Sequence, residues 1–197
     1  NTHLHEDHCG NTDLLVKMAG VDVLMPGPMT HRAFDDIGLP YRIFWGIPAA
    51  TSATRQVGET ETTDSGRTIH TIPTPGHTPC HVIYRVMPDD ILITGDAVPL
   101  PSRKVATMLT EDYLQILETL RAVRALLEPG TRVITGHCGL VREPAEYMDR
   151  RIEKMGQVVE QVRASLEAGK SEAQTAREVC GKDGLVDRIM APRISRI

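Results

Sequence analysis

The stretch that decides the fold runs from Asn1 to Gly10 and reads NTHLHEDHCG, with His3, His5, Asp7 and His8 crowded into residues 3–8. A neutral imidazole offers a ring nitrogen to a borderline metal ion, and a carboxylate offers an anionic oxygen. In extended backbone, residues 3, 5 and 7 face one side. A turn into helix at residue 7 or 8 would swing His8 back to share the site with Asp7. That many ligands exceed what one open zinc site takes, so the stretch by itself points to two metal ions.

Working outward, three later segments share one form. RTIHTIPTPGH ends at His77, DDILITGD at Asp96 and TRVITGH at His137. In each, a β-branched run meets a glycine and then a metal-capable side chain. Val, Ile and Thr favour strands, and glycine frees the backbone to turn sharply at a strand end. Three strands are therefore expected to deliver one ligand each at a tip. With the opening stretch this makes seven candidate ligands, enough for two ions sharing one carboxylate.

The remaining chain reads as scaffold. Asn11–Ala19 is expected to form a short helix, Val21–Met25 a strand that a Pro/Gly-punctuated stretch separates from Tyr41–Ile47, and Gln56–Thr63 a polar, β-leaning segment. Glu111–Leu127 has helical periodicity and is stopped by Glu128-Pro129-Gly130. Pro144 suits a first helical turn. The stripe Met148, Ile152, Met155, Val159, Val162 and Leu166 marks a long amphipathic helix packed on the protein's own core. Gly169 ends it, and Ser171–Gln174 has the form of a capping box. His31 and His70 are read as structural, as is Cys180. Trp45 is read as packing rather than a substrate wall, and Arg103 and Lys104 as a solvated loop.

Composition closes off several classes of function. The 197 residues are 41% hydrophobic, enough for one domain with a core and too apolar for disorder. Lys and Arg number 22 against 26 Asp and Glu, a formal charge of -4, which argues against a broad nucleic-acid footprint. No apolar run is long enough to span a bilayer. Four cysteines fall short of a disulfide framework and point to a reducing, cytoplasmic compartment. The expected partner is a small-molecule substrate, without nucleic acid or membrane; a homo-oligomer is left open.

At these residues the chain resembles a known family. HLHEDH (His3–His8) is similar to the HxHxDH signature of the metallo-β-lactamase superfamily, TPGHTPCH (Thr74–His81) to its second motif, ITGDA (Ile93–Ala97) to its third and ITGHCG (Ile134–Gly139) to its last. The resemblance implies an α/β (α+β) chain folded as an αββα sandwich, spanning residues 1–142, with a helical C-terminal extension at 143–197 packed on the same domain. Several strands precede the first motif in the family, so the N-terminal part of the first sheet is expected to be missing. The resemblance also implies that His3, His5 and His77 hold one metal, that Asp7, His8 and His137 hold a second, and that Asp96 bridges them. Two Zn²⁺ ions are expected, with iron or manganese as alternatives, and Asp7 would also orient the nucleophile.

Cys9, Cys80 and Cys138 stand where the family often has small residues. Small buried filler is the simpler reading; the sharper one places them, with His81, behind the ligands as groups that tune the metals. The function implied is a metal-dependent hydrolase that cleaves an ester, thioester, lactone or amide with a hydroxide bound between two zinc ions. Alternatives are a persulfide-dioxygenase-like oxidoreductase with one iron, a true β-lactamase, and an inactive fragment.

Overall fold

A computed structural model describes residues 1–26, 55–99, 107–108, 111–180 and 194–195. In chain order it begins with α1 (Glu6–Cys9), α2 (Thr12–Ala19), β1 (Leu24–Met25), β2 (Arg55–Gln56), β3 (Thr60–Thr62), β4 (Thr68–Pro73) and β5 (Val82–Met87). It continues with β6 (Ile91–Gly95), β7 (Thr107–Met108), α3 (Tyr113–Ala125), β8 (Arg132–Thr135), β9 (Gly139–Val141), α4 (Pro144–Glu167), α5 (Glu172–Cys180) and β10 (Ile194–Ser195). The segment Tyr41–Ile47, together with His31, Arg103 and Lys104, lies outside the described residues.

The β-branched runs build a six-stranded sheet in the order β3-β4-β5-β6-β8-β9. Strands β4, β5 and β6 pair antiparallel in sequence, and β6 pairs parallel with β8. It follows that β4, β6 and β8 run in one direction and end at one edge of the sheet. His77, Asp96 and His137 each follow one of those ends. The parallel pair needs a crossover, which α3 supplies between β6 and β8. Two further pairs, β1 with β2 and β7 with β10, lie outside this sheet.

Alternation along the strands separates two faces. Ile83, Leu92 and Val133 point to one side and are fully buried with Ile116, Leu117, Leu120 and Val123 of α3 and Met148 and Met155 of α4. Removing side chains of this size from water is worth about 1.5–3 kcal/mol each, so this layer carries the core. On the other face, register aligns Tyr84, Ile93, Ile134 and Leu140 in one row. Ile93, Ile134 and Leu140 in that row are exposed. The long-helix stripe behaves as expected at Met148 and Met155 and comes to the surface at Leu166.

Local chemistry sets the helix ends. The Asp112 carboxylate accepts from the Gln115 backbone N–H at 2.9 Å, so α3 begins two residues later than the periodicity suggests. At α5 the Ser171 N–H donates to Gln174 Oε1 at 2.9 Å while the Gln174 N–H donates to Ser171 Oγ at 3.3 Å, the reciprocal pair expected of a capping box. Strand β1 is shorter than the expected Val21–Met25: among the described residues Leu24 and Met25 stand in register with Arg55 and Gln56, and the Val23 carbonyl accepts from the Arg55 N–H at 3.4 Å just before the strand. Val21 is left exposed.

Candidate metal centre

The chain start is tied across the sheet edge before the first candidate ligand. The Val82 N–H donates to the Thr2 carbonyl at 3.0 Å, the Tyr84 hydroxyl donates to the Asn1 carbonyl, and the Asn1 amino group donates to the Leu24 carbonyl at 3.2 Å. These bonds carry His3 and His5 past the ends of β5 and β6. The backbone then turns into α1 at Glu6, with the His8 and Cys9 N–H groups both donating to the His5 carbonyl. The turn comes one residue earlier than expected and brings His8 back over the same pocket. His3 and His8 ring centroids stand 4.2 Å apart.

All seven candidate ligands converge. Ligand-type atoms of His3, His5 and His77 lie within 4.8 Å of one another, and so do those of Asp7, His8 and His137. Asp96 reaches both groups. Its Oδ2 is 3.5 Å from His77 Nε2, 3.4 Å from His8 Nε2 and 3.2 Å from His137 Nε2. Burial alone would raise the Asp96 carboxyl, but the hydrogen bond from His8 and the nearby His8, His77 and His137 outweigh it and hold the group below the usual carboxylate range. The pocket has depth: His3 is 1% exposed, whereas the Asp7 and His137 side chains are 36% and 39% exposed. Among the described residues, the site is thus most exposed on the Asp7–His137 side.

The donor set fits cations better than it fits itself. His3 Nδ1 meets Thr2 Oγ1 at 3.1 Å, while its buried Nε2 has no hydrogen-bond partner among the described residues. A buried, unpaired ring nitrogen is costly unless something else satisfies it. Desolvation, reinforced by neighbouring histidines, pushes the His3 pKa far down, so the ring is neutral and its lone pair available. His5 Nδ1 and His77 Nε2 face each other at 2.9 Å. Two imidazole lone pairs cannot approach so closely without a proton or a metal ion to receive them. Neutral imidazoles and carboxylates together form a nitrogen–oxygen set suited to zinc.

Behind the candidate ligands, His81 is 1% exposed, and burial first, then the neighbouring His77, pulls its pKa down to about 3. Its Nε2 accepts from the Asp96 backbone N–H at 3.2 Å, so Nδ1 carries the hydrogen and donates to Thr74 Oγ1 at 2.8 Å. Sequence spacing suggests His81 as a donor to a ligand; towards Asp96 it acts instead as an acceptor, holding the main chain. Cys9 is buried and donates its thiol hydrogen to the His5 carbonyl at 3.1 Å. Cys80 is half-buried and Cys138 exposed. Glu111, which the sequence offers only as the start of a helical pattern, also reaches the site: its Oε1 lies 2.6 Å from His77 Nδ1. Nothing local announces that contact, since an acidic residue at a helix start is ordinary.

Gly136 gives a direct test of how tightly the pocket is built. A Cβ there would sit 2.6 Å from both Asp96 Oδ1 and His8 Cε1. Gly136→Ala is therefore expected to displace both side chains and weaken metal binding by at least about 10-fold, as losses of ligand orientation do. Its φ lies outside the left-handed region, so the metal-free melting temperature should stay near that of the parent. Zinc titration paired with metal-free melting checks both halves.

Comparison with known proteins comes down on one family. The family model described as Metallo-beta-lactamase superfamily matches residues 1–137. A hydroxyacylglutathione hydrolase from Shewanella pealeana (strain ATCC 700345 / ANG-SQ1) is 28% identical over 97 residues, covering 49% of this chain and 31% of that protein. The chain thus spans about a third of the length of this curated relative. An archaeal metallo-beta-lactamase superfamily protein from Sulfolobus tokodaii superposes with a TM-score of 0.61 at 25% identity, over 78% of this chain and 65% of the other. A beta-lactamase domain protein from Burkholderia ambifaria reaches a TM-score of 0.72 at 24% identity, over 96% of this chain and 62% of the other, and shows a shared fold.

Proposed function

Because the chain belongs to the metallo-beta-lactamase superfamily, we propose that its seven convergent residues hold two divalent metal ions, zinc by preference, and that the protein hydrolyses a small ester-type substrate. The observation that carries this reading is Asp96. One carboxylate oxygen lies within 3.2–3.5 Å of His8, His77 and His137, members of both ligand groups. His3, His5 and His77 would hold the inner ion, and Asp7, His8 and His137 the outer one, with Asp96 between them. Ions held there supply Lewis acidity and acidify a bound water towards neutral pH.

The chain's own residues divide the remaining work. Asp7, at the mouth, is placed to accept a hydrogen bond from the attacking water and so orient it towards an incoming carbonyl. His137, also at the mouth and 3.4 Å from Asp7 Oδ2, limits how that carboxylate can turn. Asp96 stays ionised and balances the charge of bound cations. His81 holds the Asp96 backbone from behind.

Within the ester, thioester, lactone and amide range, thioesters are the first choice. The hydroxyacylglutathione hydrolase of Shewanella pealeana supports that choice, and the motif set is equally at home in lactone hydrolysis. True β-lactamase activity ranks below both. A hydrolysis screen over thioesters, lactones and β-lactams, run on zinc-loaded protein and repeated with chelator, tests the proposal. Turnover that chelator abolishes and zinc restores is expected. Protein that binds metal yet hydrolyses none of the three classes, or that binds a single iron and consumes oxygen, would overturn it.

A further inference from the structure

Among the described residues, one contact at the site is not explained by the seven ligands. His77 Nδ1 lies 2.6 Å from Glu111 Oε1, and the two side chains are only 11% and 13% exposed. Glu111 directly precedes Asp112, the N-cap of α3. The Asp112 N–H donates to the Gly76 carbonyl at 2.9 Å, and the Thr119 hydroxyl donates to the Pro75 carbonyl at 2.6 Å. Gly76 itself packs against the backbone of Ile116, closely enough that a Cβ would stand 2.7 Å from its nitrogen. The first turns of α3 are thus keyed to the 75–77 loop at several points, and Glu111 is held at a fixed distance from the His77 ring.

An ionised carboxylate only accepts hydrogen bonds. Facing Glu111, His77 must place its hydrogen on Nδ1, which leaves the Nε2 lone pair aimed at His5 Nδ1, 2.9 Å away, and at Asp96 Oδ2, 3.5 Å away. A carboxylate behind a histidine fixes its tautomer and ring orientation and makes the opposite nitrogen a better ligand. In the same group, among the described residues, His3 Nδ1 is backed by the neutral hydroxyl of Thr2, at 3.1 Å. We infer that Glu111 is a positioning residue for the inner metal site, setting the tautomer and basicity of His77 and so the affinity of the His3–His5–His77 group for a divalent cation. This rests on the two-metal reading proposed above.

The test uses the full chain, with Zn²⁺ and Co²⁺ as probes, and follows metal affinity by chelator competition, the Co²⁺ absorption spectrum and metal-free melting. Glu111→Ala should weaken one of the two binding events by about 10–100-fold, alter the Co²⁺ spectrum, and leave metal-free melting close to the parent. Glu111→Gln keeps an oxygen able to accept from Nδ1–H but loses the charge, so its affinity should fall between the two. Parent-like affinity and spectrum in Glu111→Ala would overturn the inference. Should that variant fail to fold without metal, Glu111→Gln decides, and parent-like affinity there overturns it equally. If the parent protein itself takes up neither metal, the two-metal reading falls first, an outcome distinct from an unaffected Glu111 variant.

Discussion

Asp96→Ala is expected to lower bound metal from two ions to one or none, and to cut kcat/KM by at least about 10³-fold on whichever substrate class the screen identifies. The size follows from what the ions supply, since a water acidified towards neutrality is worth several orders of magnitude in nucleophile concentration at pH 7. Asp96 Oδ2 lies near ring nitrogens of His8, His77 and His137 together, whereas Asp7 Oδ2 is near His8 and His137 and Glu111 is near His77, so neither of these described carboxylates replaces it in all three contacts. The substitution should not unfold the chain. What supports the strand end is the Asp96 backbone N–H bonded to His81 Nε2, which alanine keeps. Metal analysis and kinetics on the same preparation check the result. A variant that retained two ions and full turnover would show that Asp96 does not bridge.

Gly76→Ala should produce the largest loss of stability. Gly76 has φ +130, a conformation that side-chain-bearing residues rarely adopt, and its Cβ position is 2.7 Å from the Ile116 nitrogen and 3.0 Å from the Gln115 carbonyl carbon. Those are main-chain atoms inside α3, which cannot swing aside as a side-chain tip can. Strained backbone costs about 1–3 kcal/mol and overpacking about 1–3 kcal/mol more. Together these predict a fall in Tm of roughly 5–20 °C for a chain of this length. The neighbouring His77 would be pulled with the loop, so metal affinity should fall as well. A calorimetric or optical melting curve without metal separates the two effects. An unchanged Tm would mean that α3 is not clamped to this loop as described.

The candidate ligands were legible in the sequence because their chemistry is local. A crowded HLHEDH stretch, and three strands that each end in glycine and a ligand-type residue, needed only strand periodicity and metal preference to be read. The sheet placed those strand ends together because β4, β6 and β8 run the same way, a consequence of two antiparallel pairings and one parallel one. The capping box at Ser171 and the buried stripe through Met148 and Met155 were legible for the same reason: each depends on neighbours within a turn or two of helix.

What sequence missed depends on contacts between distant residues. Glu111 and His77 are 34 positions apart, and their contact exists only because α3 docks on the 75–77 loop. His81 could be placed near the site by its spacing, but its role as acceptor for the Asp96 N–H required the register of β5 on β6. Strand β1 was overestimated because its composition favours a strand through Val21, while among the described residues the paired register covers Leu24 and Met25. The N-cap at Asp112 likewise moved the start of α3, because a side-chain bond outranked apolar periodicity there.

The most direct test of the central claim is the metal content of the purified chain after loading with excess zinc and removal of unbound metal, read by elemental analysis and native mass spectrometry together. Two tightly held ions per chain, falling to one or none in Asp96→Ala, are the result expected from the geometry of the His3–His5–His77 and Asp7–His8–His137 groups. One ion or none in the parent chain, or two ions unaffected by loss of Asp96, would contradict it.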